Sequence, residues 1–127
     1  MILALKTSDS ITKIYLLNEY GKAVNKKTWQ AERALADNLL SEIEQIINSN
    51  WKDLTGLVVF VGPGSFTGLR IGITAMNTLA YSLNIPIVGT AGDNWVENGI
   101  KRLKNNENDR IVMPEYGAEA NITKPKK

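Results

Sequence analysis

Hydrophobic and polar residues follow several periods along the chain, and each period predicts a different kind of element. Three short segments open the sequence: ILAL from residue 2, ITKIYLL from residue 11 and AVNKKTW from residue 23. Turn-forming residues separate them, including Gly21, which can adopt a positive φ. The pattern predicts three strands joined as antiparallel hairpins, with the third at a sheet edge because polar and apolar residues alternate in KTWQ.

The period changes between residues 33 and 48, where leucines and isoleucines recur at spacings of three, four and one. They are Leu35, Leu39, Leu40, Ile43, Ile46 and Ile47. Burying these side chains contributes on the order of 10 kcal/mol before the entropy cost is subtracted. We therefore expect an amphipathic helix packed on the sheet, with Asp37, Glu42 and Glu44 on its solvated face.

The centre of the chain has the pattern of a βαβ unit. The run GLVVFVG at residues 56–62 is apolar without alternation, as expected of a strand covered on both faces. FTGLRIGITAMNTLAYSLN then predicts a helix and IPIVGT another buried strand, with a right-handed crossover. Beyond them, residues 92–106 predict an amphipathic helix, residues 107–110 a turn and residues 111–117, IVMPEYG, one more short strand.

Composition favours a single domain and excludes several kinds of chemistry. The 127 residues are 43% hydrophobic and 22% charged, and a net charge of +2 is too small to indicate a nucleic-acid or membrane surface by field alone. Cysteine and histidine are absent, which removes disulfides, the usual zinc ligands and Ser/His/Asp or Cys/His catalysis. The opening MILAL is shorter than a signal-peptide core, so we expect a cytoplasmic protein without membrane contact.

The sequence GPGSFTGLR at residues 62–70 precedes the central helix and can be compared with phosphate-binding loops. Backbone N–H groups at a helix N-terminus can hold an anion, and Arg70 would lie nearby. The Walker pattern needs four residues between its glycines and then Lys, whereas five separate Gly62 from Gly68 and Leu69 follows. The dinucleotide fingerprint also fails, because only two residues separate its last two glycines.

A structural role explains the loop better than either phosphate-binding pattern. Gly62 and Gly64 would supply unusual φ values, and Pro63 would fix the chain direction. Ser65 or Thr67 would cap the helix. The helix itself has apolar or small groups on more than one face, which points to a protein partner. A flat row along which another helix could approach is formed by Gly68, Gly72, Ala75 and Met76.

The stretch GPGSFTGLRIGI, residues 62–73, resembles the signature of the TsaB (YeaZ) family, the bacterial subunit required for making threonylcarbamoyladenosine in tRNA. The signature loop comprises Gly62, Pro63, Gly64, Ser65, Phe66, Thr67, Gly68 and Arg70. The order of predicted elements is similar to the first half of that family's α/β fold, an actin-like, Hsp70-like ATPase (ribonuclease H-like) domain with a mixed five-stranded sheet. The resemblance covers residues 1 to about 90.

The resemblance implies a non-catalytic scaffold or dimerisation subunit that binds and supports the catalytic subunit TsaD, in an assembly that the ATPase TsaE joins. It implies a homodimer when the chain is alone. From the residues themselves we expect no cofactor or metal, and a possible but indirect tRNA contact, for which the tail offers Lys124, Lys126 and Lys127. The expected partner interface, on the outer faces of two helices, includes Gly68, Gly72, Ala75, Met76 and Leu79. Two alternatives stay open: a small nucleotide-binding ATPase or peptidase-like enzyme, and a degenerate self-associating paralogue.

The chain also departs from the family pattern. Its first strand ends in Lys6-Thr7, where the family usually has Asp-Thr, and an ammonium group cannot coordinate a metal as a carboxylate does. Nucleotide or metal chemistry is therefore disfavoured. We expect residues 1–92 to form a TsaB-like N-terminal domain, residues 93–116 a residual helix and strand of a truncated second half, and residues 117–127 a flexible basic tail.

Overall fold

The computed structural model describes residues 1–9, 11–30, 35–64 and 66–115, apart from the side chains at positions 36 and 66. The strands are β1 (Ile2–Lys6), β2 (Ile11–Leu17), β3 (Ala23–Gln30), β4 (Gly56–Phe60) and β5 (Ile87–Thr90). The helices are α1 (Leu35–Ile46), α2 (Phe66–Leu83) and α3 (Trp95–Lys104). A 3₁₀ turn, Trp51–Asp53, leads from α1 into β4.

The five strands form one mixed sheet in the order β3-β2-β1-β4-β5. The first three strands pair antiparallel, whereas β4 is parallel to β1 and β5 is parallel to β4. The mixed five-stranded sheet is as predicted, and β3 lies at the predicted edge. β4 is buried throughout, as its continuous apolar sequence predicts.

One face of the sheet is covered by α1 and α2. Side chains alternate along a strand, so Leu3 and Leu5 of β1 lie on this face with Thr7, which follows the strand. Both leucines are fully buried. α2 approaches the sheet closely at Gly72, where a Cβ atom would stand 2.2 Å from Oγ1 of Thr7. The two helices therefore close the core on this side.

α1 buries the predicted apolar stripe, with one exception. The buried members are Leu35, Leu39, Ile43, Ile46 and Ile47. Leu40 is instead 54% exposed, on the side turned away from the sheet. Glu42, predicted to be solvated, is partly buried and forms an ion pair with Lys27 of β3. The helix ends at Ile46 because Asn48 and Ser49 adopt positive φ angles of 56° and 60°; the predicted residues 33 and 34 lie outside the described ranges.

α3 covers only part of the opposite face. A Cβ atom at Gly99 would stand 2.4 Å from Val58 of β4, so helix and sheet are in close contact there. Trp95 packs edge-on against Phe60 of β4, with ring centroids 5.8 Å apart. Among the described residues of β3, Lys26, Thr28 and Gln30 are exposed on this face.

The strand predicted at residues 111–117 is wrong for its described part, residues 111–115, which form no strand. The Val112 N–H donates to Oδ1 of Asn77 at 2.9 Å, and Nδ2 of Asn77 donates to the Val112 carbonyl at 3.0 Å. Pro114 has no N–H to offer a ladder. The Glu115 N–H donates to the Val61 carbonyl at 2.7 Å. A side-chain anchor thus replaces strand pairing.

Candidate functional site

The signature loop leaves β4 through a turn that requires glycine. Gly62 has φ +122°, and the Gly62–Pro63 peptide bond is cis. A Cβ atom at position 62 would stand 2.1 Å from the Glu115 carbonyl oxygen, so both conformation and space exclude a side chain. The prediction of an unusual φ is confirmed for Gly62. It is wrong for Gly64, whose φ is not positive.

Gly64 is needed for close packing instead. A Cβ atom there would stand 2.5 Å from Cβ of Ser8, which is buried in the loop that follows β1. In the same loop, Oγ1 of Thr7 donates a hydrogen bond of 2.7 Å to the carbonyl oxygen of Gly68. The loop after β1 and the signature loop are therefore in direct contact.

The helix cap predicted at Thr67 is wrong, because α2 begins at Phe66 and Thr67 is already its second residue. The other predicted cap, Ser65, lies outside the described residues. Arg70 lines a groove between α1 and α2. Within the described ranges, no group of three acidic side chains is placed to hold a metal ion.

Part of the predicted interface faces inwards. Gly72 and Met76 are turned to the sheet: Gly72 abuts Thr7, and the Met76 side chain is fully buried. The element that approaches this small-residue row is the sheet and not a partner helix, which is why the prediction is wrong for these two residues. Gly68 is half-buried, and its carbonyl accepts the Thr7 hydroxyl. Ala75, which is half-buried, and Leu79, which is 9% exposed, line the outer side of the helix. Small residues in the sequence indicate close packing, but they do not show whether the element that packs there is the sheet or a partner helix.

The outer sides of α1 and α2 form a groove that the sequence did not predict in detail. It consists of two hollows of about 380 and 530 Å³, which share Leu40 and Ala75. We call it the α1/α2 groove; its main lining residues are Leu40, Arg70, Ile71, Ala75, Thr78 and Leu83. Along α2 the outward residues are Ile71, Ala75, Thr78 and Ser82, at spacings of four, three and four. This is the spacing of a helix-packing seam.

A second polar cluster fixes the edge strand β5. The guanidinium of Arg102 in α3 forms ion pairs with Asp109 and Glu107, and its Nη1 donates to the Gly89 carbonyl at 2.9 Å. Oδ2 of Asp109 accepts the Gly89 N–H at 2.8 Å, while Oδ1 of Asn108 accepts the Ile87 N–H at 3.1 Å. These bonds satisfy backbone N–H and C=O groups of β5 on the side where no further strand pairs with it.

The charges in this cluster support one another. Burial raises the pKa of Asp109, but hydrogen bonds from Arg102 and from the Gly89 N–H lower it by more, so the net direction is downward. Hydrogen bonds to Asp109 and Glu107 raise the pKa of Arg102. The cluster holds the segment that leads to Val112 and Glu115, and through Glu115 it supports the back of the signature loop.

Among the described helices, none has both the length and the apolar character to cross a membrane.

Comparison with known proteins places these features in a family. Residues 20–91, more than half of the chain, match the family model described as "TsaD: tRNA N6-adenosine threonylcarbamoyltransferase". The chain is 38% identical over 92 residues to the tRNA threonylcarbamoyladenosine biosynthesis protein TsaB of Bacillus subtilis (strain 168), which covers 68% of this chain and 38% of that protein. To the protein of the same name from Escherichia coli (strain K12) it is 30% identical over 111 residues, covering 80% and 47%.

Solved structures agree with these relatives. YeaZ from Pseudomonas aeruginosa matches with a TM-score of 0.64 and 29% identity, over 71% of this chain and 43% of that one. The chain thus spans less than half the length of the relatives it matches. The strand order, the signature loop and the matched segments lead to one assignment. The chain belongs to the TsaB (YeaZ) members of the TsaD family and has their α/β, actin-like, ribonuclease H-like fold.

Proposed function

We propose that this domain is a non-catalytic scaffold in tRNA threonylcarbamoyladenosine biosynthesis and that it binds a TsaD-type catalytic subunit through the α1/α2 groove. The observation that carries the proposal is the apolar groove on the outer side of both helices, in a member of a family whose relatives are named for this pathway. A TsaE-type ATPase joins the assembly elsewhere, and the complex acts in the cytoplasm.

The groove has the character of an interface. Leu40 is 54% exposed, whereas Leu39 beside it is fully buried. A single exposed leucine needs no explanation, but Leu40 adjoins Ile71, Ala75 and Leu83 in one concave patch. Small residues along α2 allow the axis of a second helix to approach to about 8–10 Å, the usual distance between packed helices.

The occupant follows from the family relationship. The segment that matches the TsaD model includes α1, β4 and α2, so a TsaD-type protein has its own copy of this helix pair. Two related helix pairs can pack around a pseudo-twofold axis as a four-helix bundle. A second copy of this chain would use the same surface, so we expect a homodimer when the TsaD-type subunit is absent.

A scaffold role also fits the chemistry near the signature loop. The loop after β1 is packed against Gly64 and Gly68, so nucleotide binding there would require the two loops to separate. The alternative, a small nucleotide-binding ATPase or peptidase-like enzyme, would be favoured by ATP hydrolysis that disappears on changing Lys6 or Arg70.

We also propose that residues 1–92 correspond to the family's N-terminal domain, residues 93–116 to a remnant of its second half and residues 117–127 to a tail. This division concerns evolutionary origin, since α3 packs on the same five-stranded sheet as the rest of the chain.

Light scattering after size exclusion tests the proposal, using the chain alone and mixed with the TsaD-type subunit of the same organism. We expect a discrete mixed complex. The Ala75→Arg variant should weaken it at least about tenfold, because a buried unpaired charge costs more than 1.4 kcal/mol. Tyr81→Arg is the matched control, since Tyr81 is 90% exposed on α2 but lies outside the groove. A complex that resists Ala75→Arg would refute the assigned surface.

A further inference from the structure

Within the described part of the chain, α3 covers only part of the sheet face opposite the α1/α2 groove, and three lysines lie on that face, with Lys26 exposed and Lys6 and Lys13 half-buried. Lys6 at the end of β1 and Lys13 of β2 are directly paired in register. Lys13 is in turn paired with Thr28 of β3, and Tyr15 with Lys26. Because side chains alternate along each strand, Lys6, Lys13 and Lys26 share this face. We call it the lysine face.

The register brings these charges close together. Directly opposed residues on antiparallel strands have Cβ atoms about 5 Å apart, as for Lys6 and Lys13. Lys26 lies on the diagonal from Lys13, at about 7–8 Å. Like charges that are directly opposite each other, as Lys6 and Lys13 are, destabilise a sheet. The near-neutral net charge of the chain therefore conceals a local concentration of positive charge.

The lysine face has no neutralising carboxylates within the described part of the chain, where none of its three lysines has a carboxylate within ion-pair distance. Lys6 has an aromatic contact only, with Nζ 4.4 Å from the centroid of the Phe60 ring. Asp9 is the acidic residue nearest in sequence, and its Oδ1 accepts the Ile11 N–H. Lys27, on the other face of β3, is paired with Glu42. The sequence thus neutralises one side of the strand and leaves the other charged.

We propose that the lysine face binds the phosphate backbone of RNA. Its charges span three strands, or about 10 Å at the usual strand spacing, which is more than one phosphate group covers. A chain of phosphates would relieve the repulsion at each lysine, and an open sheet is a surface that RNA-binding domains use. The choice of RNA over other polyanions rests on the proposed function in tRNA modification, while the binding surface rests on the register alone.

Fluorescence anisotropy with a labelled, unmodified tRNA transcript tests this inference on the full chain without any partner protein. Affinity is measured between about 50 and 200 mM salt, where phosphate contacts give a linear log–log dependence. We expect Lys26→Gln and Lys13→Gln each to weaken binding and to reduce the salt slope by about one. Lys27→Gln is the matched control, because it removes the same charge from the adjacent residue on the opposite face.

Several outcomes would overturn the inference: no binding to the transcript, an equal slope change for Lys27→Gln, or unchanged slopes in both lysine-face variants. Binding to phosphatidylglycerol vesicles that depends on Lys26, with none to tRNA, would assign the face to a membrane instead. Circular dichroism melting checks that the variants fold, and removal of a like charge should not lower the melting temperature. The Ala75→Arg variant should retain RNA binding, so failure here is distinguishable from failure of the proposed complex.

Discussion

Gly72 lets α2 lie against the residue that follows β1. A Cβ atom at this position would stand 2.2 Å from Oγ1 and 2.9 Å from Cγ2 of Thr7, and the same hydroxyl donates to the Gly68 carbonyl. Gly72→Ala should therefore overpack the core and strain this hydrogen bond, lowering the free energy of unfolding by about 1–3 kcal/mol despite the better helix propensity of alanine. Urea denaturation of the variant measures the loss.

A double variant separates this local clash from a general effect on the helix. Thr7→Ala removes the two nearest atoms, so Thr7→Ala with Gly72→Ala should cost less than the sum of the single changes. Thr74→Ala, on the exposed side of α2, should be close to neutral. Additive single effects, or a Gly72→Ala cost below about 0.5 kcal/mol, would mean that helix and sheet are not this close.

Residue identity alone did not indicate the direction of close approach. The small residues of α2 predicted an intimate contact, and a contact exists at Gly68 and Gly72, but its other side is Thr7 of the same chain. Ile71 and Ala75, which line the groove, lie on a different side of α2 from Gly68 and Gly72, which face the sheet. The side that faces the sheet is fixed by tertiary packing, which periodicity describes only as a stripe.

At the level of elements, the Arg102–Asp109 ion pair ties α3 to the covered edge of β5. The folded-state pKa of Asp109 is lowered, so this stabilisation is present above the unfolded-state pKa and is lost as pH falls through the folded-state value. Asp109→Asn should cost about 1 kcal/mol at pH 7, since the pair is partly exposed. Thermal melting of the parent chain and of Asp109→Asn is compared at pH 7 and at a pH below the folded-state pKa of Asp109. The stability difference between the two proteins should be present at pH 7 and should vanish at the lower pH.

The neighbouring ion pair is a control for this effect. Glu107 also pairs with Arg102 but is more exposed, with 45% of its side chain accessible against 30% for Asp109. Glu107→Gln should therefore have the smaller effect, within about 0.5 kcal/mol. A larger effect for Glu107→Gln, or a difference for Asp109→Asn that persists at low pH, would contradict the assigned role of the cluster.

Long, regular elements were predictable, and the segment after α3 was not. The apolar runs of β4 and the stripe of α1 each dictate one structure, because their burial requires a single period. Residues 111–117 have a strand-like composition, but in the described part, residues 111–115, Val112 bonds to the Asn77 side chain and Glu115 to the Val61 carbonyl, which lie far away in sequence. Local pattern contains no information about such anchors.

At the scale of the whole molecule, the sheet separates two surfaces of different character. The α1/α2 groove on one face is apolar and has the seam spacing of packed helices, whereas the lysine face is charged. A protein bound in the groove and RNA bound on the lysine face would therefore be separated by the thickness of the sheet. Such an arrangement would suit a scaffold, because the two proposed ligands would not compete for the same surface.

We expect α3 and the segment after it to be required for folding, because they bury side chains in the same core as the sheet. Trp95, Ile100 and Val112 are each at least 92% buried in the core that contains β4. Their burial contributes about 5–9 kcal/mol at 1.5–3 kcal/mol per side chain, which is comparable to the total stability of a typical domain. A chain that ends at residue 92 should therefore lose cooperative folding, whereas one that ends at residue 116 should retain it.

Urea denaturation and amide NMR dispersion of the two truncated chains would distinguish these outcomes. In the shorter chain Val58 and Phe60 of β4 would be exposed where α3 now covers them, so we expect dye binding to apolar surface and poor dispersion. A well-dispersed, cooperative 1–92 fragment would mean that residues 93–115 only rest on a complete domain. Loss of folding would mean instead that, whatever their origin, these residues now belong to the same core as the signature loop.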